Sequence, residues 1–174
     1  MHIVADLAER FRDTEFILAG HGATQEGSEI RFDFGKDENG NLTWDTIRGK
    51  NLRYIGPIDA EKRGQLMSNA RALICPTLYI GPFEGVHAEA MLCGTPILTT
   101  PWGIFSESYE HGVHGFKCHT MNEFTDGLIA ADSLDRSAIR EYAMNRYSMP
   151  AVAKQYTAYF HRLAGLDSGG FYEK

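Results

Sequence analysis

The stretch "GPFEGVHAEAMLCGTP", residues 81–96, gathers side chains able to do chemistry: Glu84, His87 and Glu89, opened by Gly81-Pro82 and closed by Gly94. Gly81, Pro82 and Gly85 predict a turn, a helix follows from about Glu84 to Cys93, and Gly94 suits an αL cap at its end. The first turn of such a helix presents unpaired backbone N–H groups, which together with the helix dipole favour an anion such as a pyrophosphate. Glu89 stands among Ala88, Ala90, Met91 and Leu92, and a carboxylate in apolar company is costly to bury unless hydrogen bonds reach it. Two readings fit: the vicinal hydroxyls of a ribose donate to Glu89, or it caps a neighbouring loop or meets an arginine. His87, three residues after Glu84, reads as a partly exposed ring paired to Glu84, with a catalytic role the weaker alternative. No second His or Cys stands at ligand spacing, so neither a metal nor another cofactor is expected.

The elements around this stretch alternate. "HIVADLAERF" has the i, i+3, i+4, i+7 apolar rhythm of a helix, and "EFILAGHG" is a buried strand ended by Gly20 and Gly22. Residues 23–50 turn polar and glycine-rich, with "EIRFDF" and "LTWDTI" flanking the turn signal "KDENGN"; they read as a two-stranded β-hairpin insertion. "NLRYIG" is a strand, "DAEKRGQLMSNA" a helix with Asp59 as N-cap, and "RALICP" a strand. After the central helix come strands at "PILTTP" and "GFKCHT" and helices at "MNEFTDGLIAAD", "RSAIREYAMNRY" and "MPAVAKQYTAYFHRLAG". Such alternation predicts an α/β fold: a Rossmann-like open, mostly parallel sheet with helices on both faces, in one domain over residues 1–166 with a loose tail at 167–174. A parallel sheet built by right-handed crossovers starts from a strand, whereas this pattern starts on a helix, so a first strand is expected to be missing.

Composition narrows the function classes. Seventeen basic against 23 acidic residues, a net charge of −6 and no Lys/Arg-rich run exclude binding dominated by nucleic-acid phosphate. The three cysteines, Cys75, Cys93 and Cys118, are widely spaced in apolar segments, as buried reduced thiols would be, and no apolar run has the length of a membrane span. A soluble, cytoplasmic chain is expected.

"PTLYIGPFEGVHAEAMLCGTPILTTPWGIFSESYEHGVHGF" resembles the donor-binding half of retaining glycosyltransferases of the GT-B fold, in the group 1 family, also called family 4. That family shows a strand ending in Pro-Ser or Pro-Thr, then Glu-Pro-Phe-Gly, a second Glu eight residues after the first, Cys-Gly-Thr-Pro, Gly-x-x-Glu and Asn/His-Gly-x-x-Gly. Pro76-Thr77, Pro82-Phe83, Glu89-Ala90, Cys93-Gly94-Thr95-Pro96, Gly103 with Glu107 (one residue further on than in Gly-x-x-Glu), and His111-Gly112 with Gly115 follow in order. "FILAGHG", "NLRYIGPI" and the last helix extend the resemblance over nearly the whole chain. It implies that Glu89 binds the donor ribose, that the backbone of Phe83, Glu84, Gly85 and Val86 cradles the phosphates, and that Gly56, Pro57 and Ile58 lie near the base. Gly81, Trp102 and Gly103, with Phe105, are candidates for a sugar pocket, while plain packing is the more usual role of the two aromatic rings in a loop after a strand.

Two departures stand out. The family's first glutamate, which reaches the donor sugar's hydroxyls, falls on Gly81, while Glu84 occupies a position where glycine is common and could enter the same space from the other side of the turn. The family's first strand of this domain, with its Arg and Lys for the diphosphate, and the N-terminal acceptor domain have no counterpart in the sequence, so the chain alone is expected to be a poor catalyst. The leading reading is the donor-binding domain of a retaining glycosyltransferase that uses a nucleoside-diphosphate sugar; the alternative is a non-catalytic sugar-nucleotide-binding or assembly module that works with a partner domain. A Rossmann oxidoreductase is disfavoured, because Gly20 and Gly22 lack the continuation a dinucleotide fingerprint needs. Uncovered apolar faces predict self-association of the isolated chain.

Overall fold

The computed structural model describes residues 2–166. The amphipathic N-terminal segment forms α1 (His2–Arg10), which buries Leu7 and Ala8. Strand β1 (Phe16–Leu18) follows, then β2 (Ala23–Glu26), β3 (Glu29–Lys36), β4 (Leu42–Arg48) and β5 (Leu52–Tyr54). Next come α2 (Ala60–Asn69), β6 (Leu73–Cys75), α3 (Gly85–Leu92), β7 (Ile97–Thr99), a 3₁₀ turn at Gly103–Ser106 and β8 (Gly115–Lys117). The chain continues through α4 (Met121–Ala130), α5 (Arg136–Tyr147) and α6 (Met149–Leu166). Several ends are set locally. The Asp59 carboxylate accepts from Lys62 N–H at the start of α2, and Thr120 and Glu123 form a reciprocal capping box on α4.

The parallel strands form two sheets. β1 pairs with β5, and β6-β7-β8 form a second run. Among the described residues these two parallel sheets are not hydrogen-bonded to each other; a pair and a trio of parallel strands are both components of the doubly wound order 3-2-1-4-5-6. Residues on β7 alternate faces. Leu98 packs with Leu7, Phe16, Phe124 and Leu128 in one core, whereas Ile97 packs with Met67, Met91, Phe105 and Ile139 in the other. Helices therefore cover both faces, and each of these buried apolar side chains contributes about 1.5–3 kcal/mol.

The insertion has three strands where the sequence predicts two. β2 pairs antiparallel with β3, and β3 with β4. β2 reads Ala-Thr-Gln-Glu and is half-buried to exposed, so apolar alternation carries no trace of it; backbone pairing and one side chain hold it. Gln25 donates from Nε2 to the Leu52 carbonyl at 3.0 Å and accepts the Tyr54 N–H on Oε1 at 2.7 Å. The side-chain amide thus stands in for a neighbouring peptide along β5 and protects a strand edge. The expected tail at 167–174 lies outside the described residues.

All three cysteines are free thiols, Cys118 buried and Cys75 and Cys93 half-buried. Burial pushes the Cys118 thiol up to about 12 and raises that of Cys75 as well. None of the described helices is long and apolar enough to cross a membrane.

Candidate functional site

α3 begins beyond the carboxyl end of β6, after a loop whose Leu78, Tyr79, Ile80 and Phe83 are exposed. Among the described residues the N–H groups of Gly85 and Val86 have no acceptor, while His87 N–H donates to the Glu84 carbonyl at 3.0 Å. A helix N-terminus with free amides thus faces outward from the carboxyl edge of a parallel sheet, the place where doubly wound folds bind ligands.

The turn before α3 is packed glycine on glycine. Gly103 has φ +55° and rests on the Gly81 backbone so closely that a Cβ there would run into the Gly81 carbonyl. The same carbonyl accepts the Ile104 N–H at 3.1 Å. Gly81 in turn faces Glu84: a Cβ at position 81 would lie 2.5 Å from Glu84 Oε1. The Glu84 carboxylate therefore occupies the space beside Gly81 that a side chain at that position would enter. Its charge and hydrogen bonding hold the Tyr79 phenol above its ordinary value, a partner that sequence spacing did not single out.

His87 departs from expectation. The ring is fully buried, and its Nδ1 meets the backbone carbonyl of Glu84, not the carboxylate. Phe83, Phe105 and Tyr147 surround it edge-on, with ring centroids at 5.5, 5.4 and 5.8 Å. Burial lowers its pKa below the ordinary 6.5; the contact with a carbonyl fixes the proton on Nδ1, and Nε2 has no partner among the described residues. A ring so enclosed meets no substrate. It pins the turn to the core, and its catalytic candidacy ends there. Phe105 is likewise 1% exposed and belongs to that core rather than to a pocket wall. Trp102 stays partly exposed, with its ring 6.1 Å from that of His119.

Glu89 meets an arginine. Arg63 on α2 approaches as a fork, Nε to Oε2 at 2.6 Å and Nη2 to Oε1 at 3.0 Å, with both side chains partly exposed. In the sequence Arg63 stands out only by falling on the same α2 stripe as Leu66 and buried Met67, an unusual station for a charge. Gly56, Pro57 and Ile58 form the loop between β5 and the Asp59 cap of α2; Gly56 has φ +70° and its carbonyl accepts the Gly20 N–H at 3.0 Å. That loop, Arg63 and Glu89 succeed one another along α2 and across to α3. No group of three or more His, Cys, Asp or Glu placed to hold a metal ion occurs among the described residues.

A family model described as glycosyl transferases group 1 matches residues 1–131. The chain belongs to this family. This group 1 glycosyl transferase chain is 24% identical over 172 residues to a phosphatidyl-myo-inositol mannosyltransferase of Mycobacterium tuberculosis, covering 91% of this chain and 41% of that protein. It is 26% identical over 110 residues to an uncharacterized glycosyltransferase of Methanocaldococcus jannaschii, covering 59% and 28%. Among solved structures, a HepE protein of Anabaena in complex with UDP-glucose superposes with a TM-score of 0.66 at 19% identity, covering 93% of this chain and 45% of that one. AviGT4, a glycosyltransferase of avilamycin A biosynthesis, does so with a TM-score of 0.62 at 18% identity, covering 92% and 46%. The chain thus spans less than half the length of these proteins and shares their fold.

Proposed function

We propose that this chain is the donor-binding half of a retaining glycosyltransferase that moves a sugar from a nucleoside diphosphate to an acceptor. The observation that carries the reading is the arrangement on α3: free amides of Gly85 and Val86 at the helix start, with the Glu84 carboxylate in the space facing Gly81 and the Glu89 carboxylate in the next turn. In this reading the amides and helix dipole hold the donor diphosphate and stabilise it as it leaves, with no resident metal called upon. Glu89 accepts the two ribose hydroxyls and the loop Gly56–Ile58 borders the base. Glu84 accepts hydroxyls of the transferred sugar, beside Trp102 and Gly103. Complexes of HepE with UDP-glucose and with UDP support the choice of ligand class. The acceptor and the other half of the active site come from a second domain. Calorimetric titration with UDP, GDP, ADP and their glucose or mannose derivatives tests the reading; a chain that binds none of them is not a donor domain.

A further inference from the structure

The grip of Arg63 on Glu89 bears on the order of events at this site. The fork places one nitrogen on each carboxylate oxygen, Nε on Oε2 and Nη2 on Oε1. A vicinal diol that chelates a carboxylate needs both oxygens from one side as well, and a carboxylate has one such edge. Arg63 therefore occupies the edge that a ribose would use. Both side chains are partly exposed, at 35% for Arg63 and 44% for Glu89, so a ligand can reach the pair, and an ion pair in this setting is weak enough to be exchanged.

We propose that donor binding exchanges partners: the ribose diol displaces Arg63 from Glu89, and the freed guanidinium closes on the donor diphosphate. This rests on the donor-site reading above. Once it leaves Glu89 the guanidinium is free to take a new anion, since Glu89 is its one partner among the described residues. The diphosphate is the adjacent anion, because it follows the ribose along α3 toward the free amides of Gly85 and Val86. It also enters a site already carrying two carboxylates, Glu84 and Glu89, against which the helix dipole offers only about half a positive charge. A cation released by the ribose itself offsets that repulsion, and only when a nucleotide is present. Arg63 is thus a latch in the empty site and a phosphate ligand in the filled one.

Exchange and a static clamp differ in sign. The tightest binder among UDP, GDP and ADP is titrated by calorimetry alongside its own nucleoside, observed by NMR, against the wild-type chain and the Arg63→Met, Arg63→Lys and Glu89→Gln variants. Exchange predicts that Arg63→Met tightens the nucleoside about threefold, because Glu89 is no longer engaged, yet weakens the diphosphate about tenfold; Arg63→Lys, which keeps the charge, recovers most of the diphosphate loss. Equal changes in both ligands for Arg63→Met, or none, overturn the exchange. If that variant does not fold, the same split is read from Arg63→Gln. Unchanged diphosphate binding by Glu89→Gln overturns the donor-site reading as well, whereas lost binding there with no split at Arg63 refutes the exchange alone.

Discussion

Oε1 of Glu84 stands 2.5 Å from the point where a side chain at Gly81 would begin. A side chain three residues downstream thus fills the space over Gly81 with a carboxylate. If that carboxylate contacts the transferred sugar, Glu84→Gln weakens a nucleoside-diphosphate sugar about tenfold and leaves the nucleoside diphosphate alone unchanged. Glu89→Gln weakens both. Paired calorimetric titrations distinguish these outcomes; a Glu84→Gln chain that binds the sugar nucleotide as tightly as wild type shows that the carboxylate does not touch the sugar.

The two packed glycines respond differently to one added carbon. Gly81→Ala meets only the far end of the flexible Glu84 side chain, so stability changes by less than about 1 kcal/mol while Glu84 is pushed aside and sugar-nucleotide affinity falls. Gly103→Ala must adopt φ +55° and meets backbone. That substitution costs about 2–5 kcal/mol, the αL penalty plus overpacking. Urea midpoints of the two variants measure the contrast.

Stability depends on pH through His87. Burial depresses its folded pKa below the ordinary 6.5, and His114 is depressed in the same direction, again mainly by burial. The unfolded chain then takes up protons first as pH falls. Stability is fully present above pH 6.5 and is lost as pH drops from there through the folded values. Melting temperatures between pH 8 and pH 5 should decline below about 6.5, and His87→Phe, which fills the same aromatic cage, should flatten part of that slope. An unchanged slope in the variant assigns the effect elsewhere.

Gln25 offers a test of the insertion. Gln25→Ala removes both bonds to β5 and leaves the Tyr54 N–H without its acceptor. A loss of about 1–3 kcal/mol in urea unfolding is expected, together with greater aggregation on warming because the β5 edge is uncovered.

On α6, Tyr156, Tyr159, Phe160 and Leu163 are exposed at i, i+3, i+4 and i+7. The isolated chain should self-associate through this stripe. Light scattering behind size exclusion checks it: Tyr156→Ser with Phe160→Ser should shift the chain toward monomer, and a wild-type monomer at high concentration would contradict it.

Periodicity in the sequence determined the elements. Short apolar runs ended by Gly or Pro mark β1, β5, β6 and β7, Asp59 and Gly94 mark helix ends, and Gly81, Pro82 and Gly85 mark the turn before α3. These signals are local, since each depends on residues within one or two turns of one another. Only the tertiary structure decided the rest. β2 has no apolar rhythm and exists through its pairing with β3; His87 and Phe105 are core residues because α3, α5 and the 3₁₀ turn close around them; and Glu89 meets Arg63 across 26 residues of chain. Burial and ion pairing are properties of the packed arrangement, and a side chain's type constrains them without assigning its partner.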